Sequence, residues 1–356
     1  APSRLLAASA PEATEPIPHA LDDLLLALLR PDPRDRPQDI EELIDRLHAL
    51  TDLEPEENKA LARGYIESKA FVGRERERTA ISRLLTEAQG GGRVKAVCLE
   101  AEAGLGRSRL LQELTVASRV SGVITLAVAT RPGAADFTFA ASLILALLDS
   151  MPAALERVRP YAAELARTSE ALARRLGQPI GRPDQSAALE DFRQVLLDIA
   201  REHTLAVFVD DLHRIDPPSQ ALLASLVLEK APAKLLLVVT LPRELGADPS
   251  PALRSLRQAA LPMELCPLAA SDVHALLHSV FGNASYLDRL AQRVHQASAG
   301  NPAHCLEIAE HLARSGAARY SEGGWELPAD LDPNSLPTLR EAQIARLTRL
   351  SAATRA

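Results

Sequence analysis

Short apolar runs alternate with helix-spaced leucines and alanines along most of the chain. Val94 to Leu99, Val123 to Thr130, Leu205 to Val209, Lys234 to Thr240 and Met263 to Cys266 are runs of β-branched and apolar residues with strand length. Between them lie stretches with helical period. One runs to Ala88, one covers about 107–119, and one fills 138–176 with breaks at Pro152 and Pro160. Another covers 186–202, and a last one opens after Pro217 and Pro218. Strands alternating with helices predict βαβ units and a parallel sheet with helices on its faces. From about Ser271 the pattern turns helical throughout, over 271–281, 286–298 and 303–314, with a Gly300-Asn301-Pro302 turn before the last of these. Tyr320 to Leu327 centres on Gly323-Gly324 and predicts a hairpin, and Leu339 to Leu350 predicts one more amphipathic helix.

The first fifty residues carry a different pattern. An Ala- and Pro-rich lead-in is followed by Leu21, Leu24, Leu25, Leu28 and Leu29 at helical spacing, ending at Pro31. After the turn Asp32-Pro33-Arg34-Asp35-Arg36-Pro37, a second helix is predicted from about Gln38 to Leu50. Residues 51–69 are polar and acidic and read as a linker.

Two strand ends carry candidate chemistry. After the first run the sequence reads LEAEAGLGRSRLL, from Leu99 to Leu111. A strand, a glycine loop and a helix form the setting of a phosphate cradle, in which backbone N–H groups converge and a helix N-terminus adds partial positive charge. The full pattern is G-x-x-x-x-G-K-[ST]. Here Gly104, Gly106 and Ser108 are in place, but Ala101 stands for the first glycine and Arg107 for the lysine. The second strand end is Val209 followed by Asp210 and Asp211. In an open α/β sheet, ligand groups sit at the carboxyl ends of the strands. Ser108 can supply a hydroxyl for Mg²⁺ and Asp210 a carboxylate for the metal, while Asp211 is placed to orient or deprotonate a water.

Composition narrows the classes. With 47% hydrophobic and 24% charged residues the chain has enough apolar surface for real cores. A net charge of -7 argues against a general polyanion binder and against nucleic acid as a partner. Cys98, Cys266 and Cys305 are widely spaced, make no metal pattern, and lie in apolar runs, which predicts buried reduced thiols and a cytoplasmic setting. The apolar runs are too short to cross a bilayer, and without an initiator methionine the sequence is expected to be a piece of a longer chain. Lysine occurs only at 59, 69, 95, 230 and 234, against 35 arginines, so an arginine where lysine is expected carries less meaning here than in a balanced chain.

Several motifs together carry a resemblance. LLLALLRPDPRDRPQDIEELIDRL resembles the end of the C-lobe of a eukaryotic-type protein kinase, with Arg36 matching a family arginine that is buried and pairs with a glutamate further upstream in the lobe. The stretch from 71 to 350 resembles the STAND class of AAA+-related ATPases, and more closely the modules fused to bacterial signalling kinases and transcription regulators. Phe71 to Glu77 matches the F-V-G-R-E-x-E opening motif, Glu102 to Leu111 the phosphate loop, VFVDDLHRIDPPS the second acidic motif, and Gly300-Asn301-Pro302 the G-x-P turn of a helical lid. Trp325 to Leu336 and the helix after it match the start of a winged-helix domain.

The resemblance implies a P-loop NTPase sheet with a helical lid and the start of a winged-helix domain. The implied division is 1–50 kinase remnant, 51–69 linker, 70–267 ATPase core, 268–318 lid and 319–356 winged-helix start. It implies ATP or ADP with Mg²⁺, bound through Val72, Gly73, Gly104, Gly106, Arg107, Ser108, Arg109, Arg243 and Pro302, with Asp210 and Asp211 as the catalytic pair and Ser108 and Asp210 on the metal. The expected partners are the chain's own kinase domain and further C-terminal domains. The family arginine after the Lys234 to Thr240 run would fall at Pro242, and Arg243 comes one residue late. Alternatives stand beside this reading. The module is a nucleotide switch with slow hydrolysis, a dead pseudo-ATPase scaffold, or a winged-helix DNA regulator. His213 contacts the site or fixes the loop; Asp216 is a helix cap or a catalyst; Arg74 faces the nucleotide or forms a solvated salt bridge with Glu75 or Glu77; Trp325 packs in a wing or offers a ligand platform.

Overall fold

A computed structural model describes residues 19–30, 70–130, 132–244, 249–321, 324–329, 336–338 and 341. The D-P-x-x-R-P turn with Arg36, the second helix of the N-terminal pair, the linker and most of the 339–350 helix lie outside the described residues. Helix α1 is His19–Leu28. The larger of two compact units comprises 70–277, 288–308 and 331–356; the smaller comprises 1–69, 278–287 and 309–330.

The larger unit is built on five parallel strands: β1 (Lys95–Ala101), β2 (Ile124–Val128), β3 (Leu205–Val209), β4 (Leu235–Pro242) and β5 (Leu261–Glu264), in the order β2-β3-β4-β1-β5. Parallel strands covered on both faces read as continuous apolar runs, and β3 and β4 do so because almost every residue in them is buried. Alternate residues serve opposite faces. Cys98, Val207, Val209, Leu237 and Val239 join one apolar core. Val97, Leu99, Ala206, Phe208, Leu236 and Val238 join the other.

The second core is closed by α2 (Glu75–Gln89) and α3 (Arg107–Val120), through Ile81, Leu85, Leu110, Leu111 and Leu114. The first is covered by α4 (Thr138–Ser150), the short helices α5 (Leu155–Val158), α6 (Ala162–Thr168) and α7 (Glu170–Leu176), then α8 (Gln185–Glu202), α9 (Pro217–Val227) and α10 (Pro251–Ala259). Pro152 and Pro160 break the long alanine-rich stretch, as prolines without an N–H must. Helix α10 is absent from the pattern read above. Its start is nonetheless written in Ser250-Pro251: the Ser250 hydroxyl accepts from the Leu253 N–H and proline takes the first helical position. Such a cap contributes about 1 kcal/mol.

The expected parallel sheet flanked by helices is therefore the observed fold. Strand β5 lies two residues earlier than its apolar run suggested, at the sheet edge, where Pro262 is tolerated because one side needs no ladder partner. Cys266, expected buried, is exposed just beyond this edge, whereas Cys98 and Cys305 are buried. Burial and the neighbouring Glu100 push the Cys98 thiol up to about 12, so it stays protonated and inert. Three helices follow: α11 (Ala270–Phe281), α12 (Leu287–Ser298) and α13 (Pro302–Ser315).

Within the smaller unit, β6 (Arg319–Ser321) and β7 (Gly324–Glu326) form the expected antiparallel hairpin. Trp325 is buried there, edge-on to Phe281 at 5.1 Å and to Tyr320 at 5.6 Å, so it packs inward and is no open platform. No helix among the described residues is long and apolar enough to cross a membrane.

Candidate functional site

Strand β4 lies between β3 and β1, so its end separates the glycine loop from the acid pair. Thr240 occupies that position. It is fully buried and in register with Leu99 of β1. Its hydroxyl donates to Asp210 Oδ1 at 2.6 Å and accepts the Asp211 backbone N–H at 2.8 Å. One hydroxyl thus fixes both acids. Asp211 adopts the left-handed conformation (φ 47), which a non-glycine residue holds only when its surroundings enforce it, and the bond to Thr240 is part of that enforcement. The hydroxyl ending an otherwise apolar run was the available sequence signal for Thr240.

The loop itself leaves β1 at Ala101. This residue is still in the strand, paired with Pro242 and buried, and its φ is outside the positive region. A Cβ is therefore accommodated where the motif has glycine. Gly104 (φ 85) and Gly106 (φ 91) do need their freedom. A Cβ on Gly104 would also lie 2.7 Å from the Asn301 side chain. Gly106 is the N-cap of α3, and no side chain among the described residues caps that helix, so its first N–H groups are left to another acceptor.

Arg107 opens α3. Its Nη2 lies 3.7 Å from Asp211 Oδ1, and its Nη1 is buried with no hydrogen-bond partner among the described residues. A buried donor left unpaired costs about 1–3 kcal/mol, more when charged, and calls for an anionic oxygen. Asp211 is flanked on its other side by Arg214, at 3.6 Å from Oδ2. Ser108 is exposed at the start of α3. Arg107, Asp210 and Asp211 are brought together. Arg109 is committed to Glu113 at 2.8 Å along the helix. Arg243 sits at the rim, where its N–H donates to Ala101 O and its guanidinium pairs with Glu264 at 2.7 Å. The β1–β4 register runs unbroken to Pro242, so no local shift returns this arginine to position 242.

The opening motif packs nearby. Val72 is half-buried and Gly73 (φ 70) would strike Asp272 and Leu268 if it bore a Cβ. Arg74 corrects the solvated reading. It is buried, with Nη2 donating to Leu105 O at 3.0 Å and Nη1 3.6 Å from Glu77. Its burial is invisible in a charged stretch of sequence. Pro302 begins α13, with its ring 4.0 Å from the position of a Cβ on Gly106.

Asp216 proves to be a cap. It accepts from Ser219 N in α9 and also from the N–H groups of Phe137 and Phe139. This explains how Phe137 is held at φ 61, stacked on Phe192. His213 follows the acids on the 3₁₀ turn 212–214. Burial pushes its pKa below the ordinary 6.5; Asp211 opposes this, while Arg107 and Arg214 add to it. The unfolded chain therefore takes up this proton first as pH falls. Stability drops from about 6.5 down to the depressed folded value and then levels. An NMR titration is expected to place His213 below an exposed histidine, and His213→Gln to remove that part of the acid slope.

Residues 70–239 match the AAA ATPase domain. The AAA-like segment takes in the opening motif, the loop, the acid pair and β4 as far as Val239. Solved structures similar to the chain include Pyrobaculum aerophilum Cdc6p (14% identity, TM-score 0.45, 70% of this chain and 66% of that one). A Thermotoga maritima RuvB variant gives 15%, 0.40, 71% and 66%, and the Aeropyrum pernix ORC1 protein in complex with DNA gives 16%, 0.40, 70% and 61%. The alignment spans less than two thirds of each of those chains. No curated protein matches the chain.

Proposed function

We propose that the AAA-like segment binds ATP or ADP with Mg²⁺ and acts as a STAND-type regulatory switch in a bacterial serine/threonine protein kinase, with slow hydrolysis. The observation that carries the reading is the buried Arg107 Nη1, without a partner among the described residues, beside a helix start that none of their side chains caps and two left-handed glycines. That set is a donor cluster matched to phosphate oxygens. Gly104, Gly106 and Arg107 would hold the phosphates, Ser108 and Asp210 the metal, and Val72, Gly73 and Pro302 would border the base. A metal held there would supply charge neutralisation. Asp211 would orient or activate water, but its two guanidinium neighbours engage both of its oxygens, which supports slow turnover. The kinase setting rests on the resemblance of residues 21–50 to a kinase C-lobe and of 71–350 to modules fused to signalling kinases, and with it the partnership with the chain's own kinase domain and further C-terminal domains in the cytoplasm.

The Arg107–Asp211 ion pair also favours a second reading, a scaffold whose site no longer turns over. A switch needs a ligand that distinguishes two states. Hydrogen exchange of the whole chain with ATP and with ADP separates the two readings. The switch predicts that residues 300–305 are protected differently by the two nucleotides. Identical protection would leave only the scaffold.

A further inference from the structure

Three successive carbonyl groups of the glycine loop are held from outside it. Asn301 Nδ2 donates to Ala103 O at 3.0 Å, the Ala303 N–H to Gly104 O at 3.2 Å, and Arg74 Nη2 to Leu105 O at 3.0 Å. In a trans peptide the C=O and the following N–H point in opposite directions. Each held carbonyl therefore turns the next N–H, of Gly104, Leu105 and Gly106 in turn, away from its holder. The Leu105 N–H makes a long turn bond to Glu102 O at 3.4 Å, and those of Gly104 and Gly106 have no acceptor among the described residues. Asn301 does a second job with its other atom: Oδ1 accepts from the Ala303 and His304 N–H groups and caps α13. The same carboxamide thus joins the start of α13 to the loop.

We propose that Asn301, with Arg74, is a positioning residue that orients the loop N–H groups for an anion without touching it, so that phosphate affinity depends on α13 staying docked. This rests on the nucleotide reading above. It assigns to Asn301 a role through backbone carbonyls, distinct from the direct contacts implied for Pro302. The donor to Ala103 O is the part that matters; the cap to α13 is separable from it. Serine and aspartate both cap helices well, yet neither offers an N–H donor in place of Nδ2.

The test is a Mg-ATP titration of the full chain as wild type, Asn301→Ser and Asn301→Asp, with thermal unfolding measured on each. Both variants are expected to bind at least 10-fold more weakly while their unfolding midpoints stay with the wild type. Wild-type affinity in Asn301→Ser overturns the proposal, including the case where only the aspartate variant weakens, since that would be charge repulsion alone. Weaker binding that merely follows a lowered midpoint overturns it too, and would make Asn301 only a cap. A wild type that fails to bind removes this proposal together with the nucleotide reading, and so differs from a failure confined to Asn301.

Discussion

Gly300→Ala is expected to destabilise the larger unit by about 3–5 kcal/mol, the range of a backbone-level clash added to a strained conformation. Gly300 sits at φ 75, and a Cβ there would lie 2.3 Å from Leu268 O and 3.1 Å from Leu268 N. Neither neighbour is a flexible side-chain end. Leu268 N is also the donor to Gly300 O at 2.8 Å, so backing away breaks a hydrogen bond. The Gly300 N–H is itself tied to Ser298 Oγ, which lies 3.1 Å from buried Cys305 Sγ. The turn therefore has little room to relax. Chemical denaturation read by circular dichroism checks this; a loss below about 1 kcal/mol, the ordinary cost of a point change, would show that the turn yields.

Arg107→Ala is expected to lower affinity for Mg-ATP about 100-fold, since a hydrogen bond to a charged group contributes roughly 1.5–3 kcal/mol and the guanidinium offers more than one. The change should barely lower stability. It removes an ion pair at 3.7 Å, but it also removes a buried donor with no partner among the described residues. Arg107→Lys is the informative companion. Lysine is a compact point charge and cannot reach in two directions as the planar fork does. It is expected to keep binding within about 10-fold of wild type, a difference of about 1.4 kcal/mol. By freeing Asp211 Oδ1, with Arg214 still on Oδ2, it should also raise single-turnover hydrolysis. Unchanged turnover in Arg107→Lys would show that the arginine is not what slows the reaction.

The sheet was legible because parallel strands covered on both faces leave uninterrupted apolar runs, as Leu205–Val209 does residue for residue. The edge strand was read two residues late, because Leu261 and Pro262 are exposed and give no inward signal while Leu265 beyond them is buried. Helix α10 went unread although Ser250-Pro251 announces it; it is short, and its buried stripe is only Leu253 and Leu256. At the site, glycine spacing and the acid pair were visible because backbone conformation and charge are written in single residues. What sequence could not show was which side chains face inward. Arg74 lies in a run of charges and is buried by the fold alone, and Asn301 differs from any turn asparagine only through the loop it meets. Ala101 looked like damage to the motif until its place within β1 showed that the position needs no positive φ.

Nucleotide binding at the glycine loop is measured by calorimetric titration of the full chain with Mg-ATP, with Arg107→Ala run beside it. One saturable site is expected in the wild type, weakened about 100-fold in the variant, in line with a charge-assisted contact to phosphate. Absence of binding at millimolar nucleotide, or equal binding by both proteins, would contradict it.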